Sequence, residues 1–91
     1  MTQVIVRTED DWVRTKIEEI IAEERTFLRN VIVRTQQKLA RFEQQYGPLK
    51  REVLYGKVDD MELVEWEGEL ETIAHLQKHL GALEDLTIEY Q

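Results

Sequence analysis

Residues 9–46 read EDDWVRTKIEEIIAEERTFLRNVIVRTQQKLARFEQQY, and this stretch decides the fold. Its apolar side chains recur at steps of three and four residues, which places them on one stripe of an α-helix. They are Val13, Ile17, Ile20, Ile21, Leu28, Val31, Ile32, Leu39, Phe42 and Tyr46. No proline or glycine interrupts the stretch, so we predict a single helix over residues 9–46. A length of roughly 55 Å is typical of coiled-coil-like packing.

A second helix is predicted over residues 59–85. Asp59 can cap its first turn, and leucines with Trp66 continue the same spacing. Gly47 and Pro48 end the first helix, because glycine accepts the left-handed cap conformation and proline cannot continue a helix. We expect a linker over residues 47–58, with one or two helical turns between Leu49 and Tyr55.

Both ends of the chain have the composition of strands. Residues 2–8 are rich in β-branched side chains, and Thr8 is expected to cap the helix that follows. The tail at residues 86–91 alternates apolar and polar side chains. In a helical hairpin both ends return to the same pole, so these strands could pair with each other, with a second copy or with the sheet edge of another protein.

Charge is distributed unevenly along the chain. The net charge of −7 divides into −4 over residues 1–24, +6 over residues 25–57 and −9 over residues 58–91. An antiparallel hairpin would bring the basic segment against the acidic one, which favours that register. The pairs would form between Arg25, Arg29, Arg34, Lys38 and Arg41 on one helix and Glu62, Glu65, Glu69, Glu71 and Glu84 on the other. The acidic total argues against nucleic acid as the main partner, because phosphate binding needs a basic surface.

The composition narrows the class of protein further. Ninety-one residues make one small domain, over residues 1–91. The absence of cysteine excludes disulfides and thiol chemistry and fits a cytoplasmic location. Uninterrupted apolar runs do not exceed three residues, so we expect no membrane span. We expect no cofactor.

The fold predicted from these patterns is all-α, a long antiparallel helical hairpin with short terminal strands. Two helices alone leave part of their apolar surface in water. The side chains concerned include Trp12, Ile21, Phe27, Val33 and Leu76. A homodimer in which two hairpins form a four-helix bundle would cover them; a stable complex with another protein would do the same.

Two groups of side chains have residue types that occur in chemical sites. Glu71, His75 and His79 share one helix face, and two histidines four residues apart can bind one Zn²⁺. The glutamate that follows the first histidine in zinc proteases is missing, because Leu76 stands there. A solvated pair of histidines is the simpler interpretation. The acidic side chains of the second helix are typical of a solvated face rather than of a catalytic pocket, so no enzyme activity is expected.

One alternative parse gives a different function. A strand over residues 4–7, a helix over 10–23, a break near Arg25 and a second helix over 27–45 is the order of a ribbon-helix-helix DNA-binding repressor. Gln3, Ile5 and Arg7 would then face DNA. The break lacks the glycine or asparagine typical of such a turn, and the first 24 residues are acidic.

Residues 42–69 include the segments that carry a family resemblance. They read FEQQYG, then LYGKVDD, then ELVEWEGE over the start of the second helix. This resembles small acidic helical proteins of bacteria and archaea that are encoded beside a toxin gene and are predicted to be the antitoxins of type II toxin–antitoxin pairs. The similarity covers about half of the chain and departs at residues 48–51, where a longer serine- and glutamate-rich helix start is expected. It implies binding to a small protein toxin and no catalytic residue.

The resulting hypothesis is a non-enzymatic, cytoplasmic protein-binding module of the antitoxin type, dimeric with itself and bound to a toxin. The side chains expected to contact the partner are Glu62, Glu65, Trp66, Glu69, Glu71, Ile88 and Tyr90. Trp66 and Trp12 are large apolar anchors that suit either a core or a binding hot spot. A structural coiled-coil adaptor that oligomerises is the first alternative, and the DNA-binding repressor is the second.

Overall fold

The computed structural model describes residues 2–54 and 56–91. Two long helices and two short terminal strands make up most of this part, as predicted. In chain order the elements are β1 (Thr2–Val6), α1 (Asp11–Tyr46), α2 (Arg51–Leu54), α3 (Asp60–Glu84) and β2 (Leu86–Tyr90). Helix α3 returns antiparallel along α1, so the two form a helical hairpin.

The first long helix begins two residues later than predicted. Asp10, not Thr8, is its N-cap, because the Asp10 carboxylate accepts a hydrogen bond from the Trp12 amide at 2.9 Å. The Thr8 hydroxyl instead accepts from the Asp10 amide at 3.1 Å, which closes the turn between β1 and α1. The prediction of a Thr8 cap is therefore wrong.

Helix α1 then continues without a break to Tyr46. It passes straight through Arg25, so the break required by the ribbon-helix-helix parse is wrong. Gly47 ends the helix with φ +78°, a conformation that suits glycine, and its amide donates to the Glu43 carbonyl at 2.8 Å.

The linker contributes a wall of the core. Its helical turn is the four-residue α2; Tyr55, at which the predicted turns end, lies outside the described residues. Leu54 and Val58 are each 4% exposed. The predicted cap of α3 is confirmed, because the Asp59 carboxylate accepts from the Met61 amide at 2.8 Å.

The core is concentrated at this closed end of the hairpin. Trp66 is 1% exposed and Leu63 is 2% exposed, and the linker side chains pack against them. The Phe42 ring stacks on Trp66 with centroids 5.3 Å apart and planes 9° apart, and the Tyr46 ring lies at 6.3 Å. Such aromatic contacts stabilise beyond the area they bury.

The two terminal strands pair with each other in parallel, from Thr2 beside Leu86 to Val6 beside Tyr90. Helix lengths explain their position. Helix α1 has 36 residues and α3 has 25, so α1 extends eleven residues further, about 17 Å at 1.5 Å per residue. A five-residue strand at 3.3 Å per residue spans about the same length, so the sheet lies along the part of α1 that α3 does not reach.

Two pairs within the described residues show the predicted charge matching. Arg29 pairs with Glu84 at 3.1 Å, and Lys38 pairs with Glu69 at 3.4 Å. Both pairs are partly solvated, so each contributes about 0–1 kcal/mol to stability and mainly favours the antiparallel register.

Candidate protein-binding surface

A row of exposed apolar side chains follows one edge of α1. Trp12, Ile20 and Phe27 are 67%, 62% and 56% exposed. At about 100° per residue the three fall within an arc of about 80°. The side chains of α1 that lie beside β2, among them Ile21 and Arg25, are on roughly the opposite side of the helix. The row (Trp12, Ile20 and Phe27) is therefore left uncovered by both the sheet and α3.

Charged side chains alternate with this row. Lys16 and Glu23 lie between its members on the same edge of the helix. The Lys16 ammonium is 5.8 Å from the centre of the Trp12 ring and 3.0 Å from the Glu19 carboxylate. The pair is half exposed, so it constrains the lysine weakly.

On the opposite side of α1, polar side chains join the helix to the sheet. The Arg14 guanidinium lies 5.4 Å from the centre of the Tyr90 ring and donates to the Thr8 carbonyl at 2.7 Å. The Tyr90 hydroxyl donates to Glu18 at 3.3 Å. Desolvation, together with the nearby Glu18 carboxylate, raises the pKa of Tyr90 above its ordinary value.

Arg25 marks the point where α3 ends and the sheet begins. Its Nε and Nη2 atoms both donate to the Leu83 carbonyl, at 3.1 and 2.6 Å. The last carbonyls of a helix lack partners within the helix, and the negative end of the helix dipole favours a cation. Helix α3 has no basic residue in its own last turn. Arg25 of α1 therefore supplies this cap.

The acidic side chains predicted to contact a partner fall into two groups. Glu62 accepts a hydrogen bond from the Tyr46 hydroxyl at 2.6 Å, and Glu69 is paired with Lys38. The hydrogen bond to Glu62 is the largest of the causes that raise the pKa of Tyr46. Glu65 and Glu71 are exposed, and these two remain the acidic candidates most accessible to another protein.

The other predicted contacts differ in accessibility. Trp66 is inside the hairpin's own core, so the expectation that it contacts a partner is corrected: stacking on Phe42 already buries it. Ile88 and Tyr90 are half-buried, with Ile88 beside α1 and Tyr90 held by Arg14. A partner could reach only part of these two side chains.

The histidines do not form a metal centre within the described residues. His75 and His79 are exposed on α3, as is Glu71. No group of three or more histidine, aspartate or glutamate side chains in residues 2–54 and 56–91 comes together in a way that could hold a metal ion.

Two features of the surface were missed at the sequence level. The contacts of Arg14 with Tyr90 and of Arg25 with Leu83 lie on the same three/four spacing that continues backwards from Leu28 through Ile21. Extending that spacing to charged positions would have placed both arginines on the packed side of α1. Charge matching predicted that Arg25 lies beside the second helix, but with a glutamate as its partner instead of the Leu83 carbonyl.

No protein-family model, curated protein or solved structure matches this chain. In the part of the chain that the structure describes, neither long helix has an apolar segment that could cross a bilayer.

Proposed function

We propose that this chain is a non-enzymatic, cytoplasmic protein-binding module that acts as a homodimeric antitoxin, binding and neutralising a small protein toxin. The observation that carries the proposal is the uncovered row of Trp12, Ile20 and Phe27. Large apolar side chains aligned on one surface mark protein-interaction sites more often than isolated ones do.

The shape of the chain supports a need for a partner. Its radius of gyration is 19.1 Å and its extents are 62 × 20 × 17 Å. A compact domain of this length would have a radius of gyration of about 12 Å. A thin rod has little interior, so side chains that a globular domain would bury remain at the surface.

The dimer is the simplest way of covering this surface. Two hairpins that meet along their full length would make a four-helix bundle, whereas two hairpins that meet through the apolar row overlap mainly at the α1 residues that α3 does not reach. Soluble homo-oligomers are most often dimers with two-fold symmetry, since one surface then serves both copies.

The acidic charge of α3 and the free edges of the sheet both support binding to a small protein toxin. Helix α3 carries seven acidic side chains and one basic side chain, and Glu65 and Glu71 are exposed on it. A toxin that acts on RNA needs a basic surface, which such a helix complements. The sheet has two strands within the described residues, so each strand has an outer edge that an extended segment of another protein can join.

A structural adaptor that oligomerises is the second candidate. The observation that favours it is the 62 Å length, which separates two ends of different chemistry: an apolar core at one end and a sheet at the other. An adaptor would use the same apolar row for self-association and would bind no toxin.

Co-expression with the product of the neighbouring gene separates the two candidates. An antitoxin is expected to co-purify with that product and to relieve growth arrest caused by it. The double variant Glu65→Lys/Glu71→Lys should reduce both. The matched control is Glu43→Lys/Glu52→Lys, which makes the same charge change at two exposed acids on α1 and α2. No co-purification with the wild-type chain, or equal loss in both variants, would contradict toxin binding through α3.

A further inference from the structure

The charged residues that alternate with the apolar row determine how two copies can meet. Trp12, Lys16, Ile20, Glu23 and Phe27 follow one another at steps of four, four, three and four residues along one edge of α1. The order is apolar, positive, apolar, negative, apolar. When a second copy of this edge runs in the opposite direction, each positive residue faces a negative one and each apolar residue faces an apolar one.

We propose that two copies pair through antiparallel α1 helices, with the two-fold axis beside Ile20. In this register Trp12 packs on Phe27 of the partner subunit, and Lys16 meets Glu23 of the partner subunit. The proposal rests on the homodimer within the proposed function and specifies its contact. Residues 12–27 of the two α1 helices overlap, and the two α3 helices, which lie against residues 25–46 of α1, extend away from this overlap in opposite directions.

The numbering fits this register closely. In an antiparallel pair the numbers of facing residues have a constant sum. Trp12 with Phe27 and Lys16 with Glu23 both give 39, and Ile20 facing itself gives 40. The Trp12–Phe27 and Lys16–Glu23 contacts each occur twice in an isologous dimer, since every copy contributes both halves, and the contact of Ile20 with itself occurs once at the axis.

A parallel pairing of the same edge is disfavoured by charge. It would place Lys16 against Lys16 and Glu23 against Glu23, and like charges that face each other across a helix pair are repulsive. Glu24, next to Glu23, adds to the repulsion in the parallel arrangement and to the attraction in the antiparallel one. The edge therefore selects direction as well as position.

The monomer leaves these groups accessible. Glu23 and Glu24 are exposed. The Lys16–Glu19 pair is 46% and 50% exposed at its two side chains, so it can exchange for the intermolecular pair at little cost. The sheet lies beside the opposite side of α1, so it does not obstruct a second copy.

The contact also has the size that a dimer needs. The overlap from Trp12 to Phe27 covers 16 residues, about 24 Å of helix. Two aromatic side chains per copy, at about 150–250 Å² each and 67% and 56% exposed, supply about a third of the roughly 800 Å² per partner found in stable complexes. Ile20 and the stems of the flanking charged side chains contribute to the rest.

Charge reversal tests the register. The dimer dissociation constant is measured by analytical ultracentrifugation for Lys16→Glu, for Glu23→Lys/Glu24→Lys and for the triple variant that combines them. We expect the first two to weaken the dimer about tenfold, because two attractive contacts become repulsive, and the triple variant to restore it. The control variant Lys16→Glu/Glu19→Lys restores only the ion pair within one helix, so its dimer should remain as weak as that of Lys16→Glu.

Cysteine cross-linking provides a second readout in a chain that contains no cysteine. Lys16→Cys mixed with Glu23→Cys should form a disulfide-linked pair, since the facing Cα atoms lie within disulfide reach. Each variant alone places its two cysteines about 10 Å or more apart along the axis, beyond the roughly 7 Å limit. Met61→Cys, 77% exposed on α3, is the control and should not cross-link.

Three results would overturn the proposal: a wild-type chain that stays monomeric at all concentrations, a triple variant as weak as its parents, or cross-linking of each single variant with itself. The first would leave the apolar row to another protein, and toxin co-purification would then still support the proposed function. A dimer with the expected register but no toxin partner would support the adaptor instead.

Discussion

The two halves of α1 belong to one continuous helix but have different neighbours. Residues 25–46 lie against α3, and at their far end the linker adds Leu54 and Val58 as a third wall. Residues 11–24 lie against a two-stranded sheet, where half-buried Ile21 and Ile88 are joined by the charged and hydroxyl groups of Arg14, Glu18 and Tyr90. The closed end therefore buries its aromatic side chains, whereas the sheet end leaves Trp12 and Ile20 in water.

This difference shows what a helical hairpin needs in order to complete a core. Two helices cover each other on one side only, and Trp66, which is 1% exposed, has the linker side chains as a third layer beside the two helices. At the closed end the linker supplies that layer from the same chain. At the sheet end no third layer from the described residues covers the apolar row.

The strongest test of this contrast compares the two tryptophans. Trp66→Ala should lower the free energy of unfolding by about 3–5 kcal/mol, because it removes the centre of the aromatic stack and leaves a cavity. Small domains are stable by about 5–15 kcal/mol in total, so this variant should be close to unfolding. Chemical denaturation followed by circular dichroism measures the change.

The matched control is Trp12→Ala, which removes the same side chain from an exposed position. At protein concentrations low enough to exclude self-association, it should change stability by about 0.5 kcal/mol or less. Equal effects of the two substitutions would contradict the division into a closed end and an open end.

Much of this architecture follows from local signals in the chain. The Gly47 stop, the Asp59 cap and the uninterrupted spacing up to Tyr46 predicted the helices to within two residues, because caps and apolar periodicity depend on near neighbours. The parallel pairing of the termini depends on the difference in helix length and could not be read from residues 2–6 or 86–90 alone.

The candidate surface was less predictable for a related reason. Trp66 and Trp12 are the same type of residue, and both lie in a helix with similar spacing of neighbouring apolar residues. Trp66 is nevertheless in the core, and Trp12 is exposed. Their difference arises from the linker, whose path is not set by periodicity. Exposure of Trp12, Phe27 and Val33 was expected and is confirmed, because two helices cannot cover every side of each other. Ile21 and Leu76 were also expected in water, but both are half-buried.

The junction between the halves gives a smaller expected effect. Arg25→Ala removes both hydrogen bonds to the Leu83 carbonyl and the cation at the end of α3. Hydrogen bonds to charged groups contribute roughly 1.5–3 kcal/mol, so stability should fall by about that amount. Hydrogen exchange should also become faster in β2, which follows that end directly.

Arg34→Ala serves as the control, because it removes an exposed arginine from the same helix. A change of about 0.5 kcal/mol or less is expected there. If both variants lose the same stability, the effect belongs to net charge and not to the cap.

The smallest expected effect concerns a hydrogen bond at the closed end and its dependence on pH. The Glu62 carboxylate accepts from the Tyr46 hydroxyl and raises the pKa of Tyr46 above its ordinary 10.0. The folded chain therefore holds this proton more tightly than the unfolded chain does. The contribution to stability is fully present below pH 10.0 and is lost as the pH rises through the folded-state pKa. Glu62→Gln should lower the pKa of Tyr46 towards its ordinary value, measured by NMR titration of ring-labelled tyrosine.

The control Glu65→Gln removes the same charge from an exposed position on α3 and should leave the pKa of Tyr46 unchanged. If both variants shift the titration equally, the cause is the overall charge of α3, and the closed end then differs from the sheet end in its apolar packing alone.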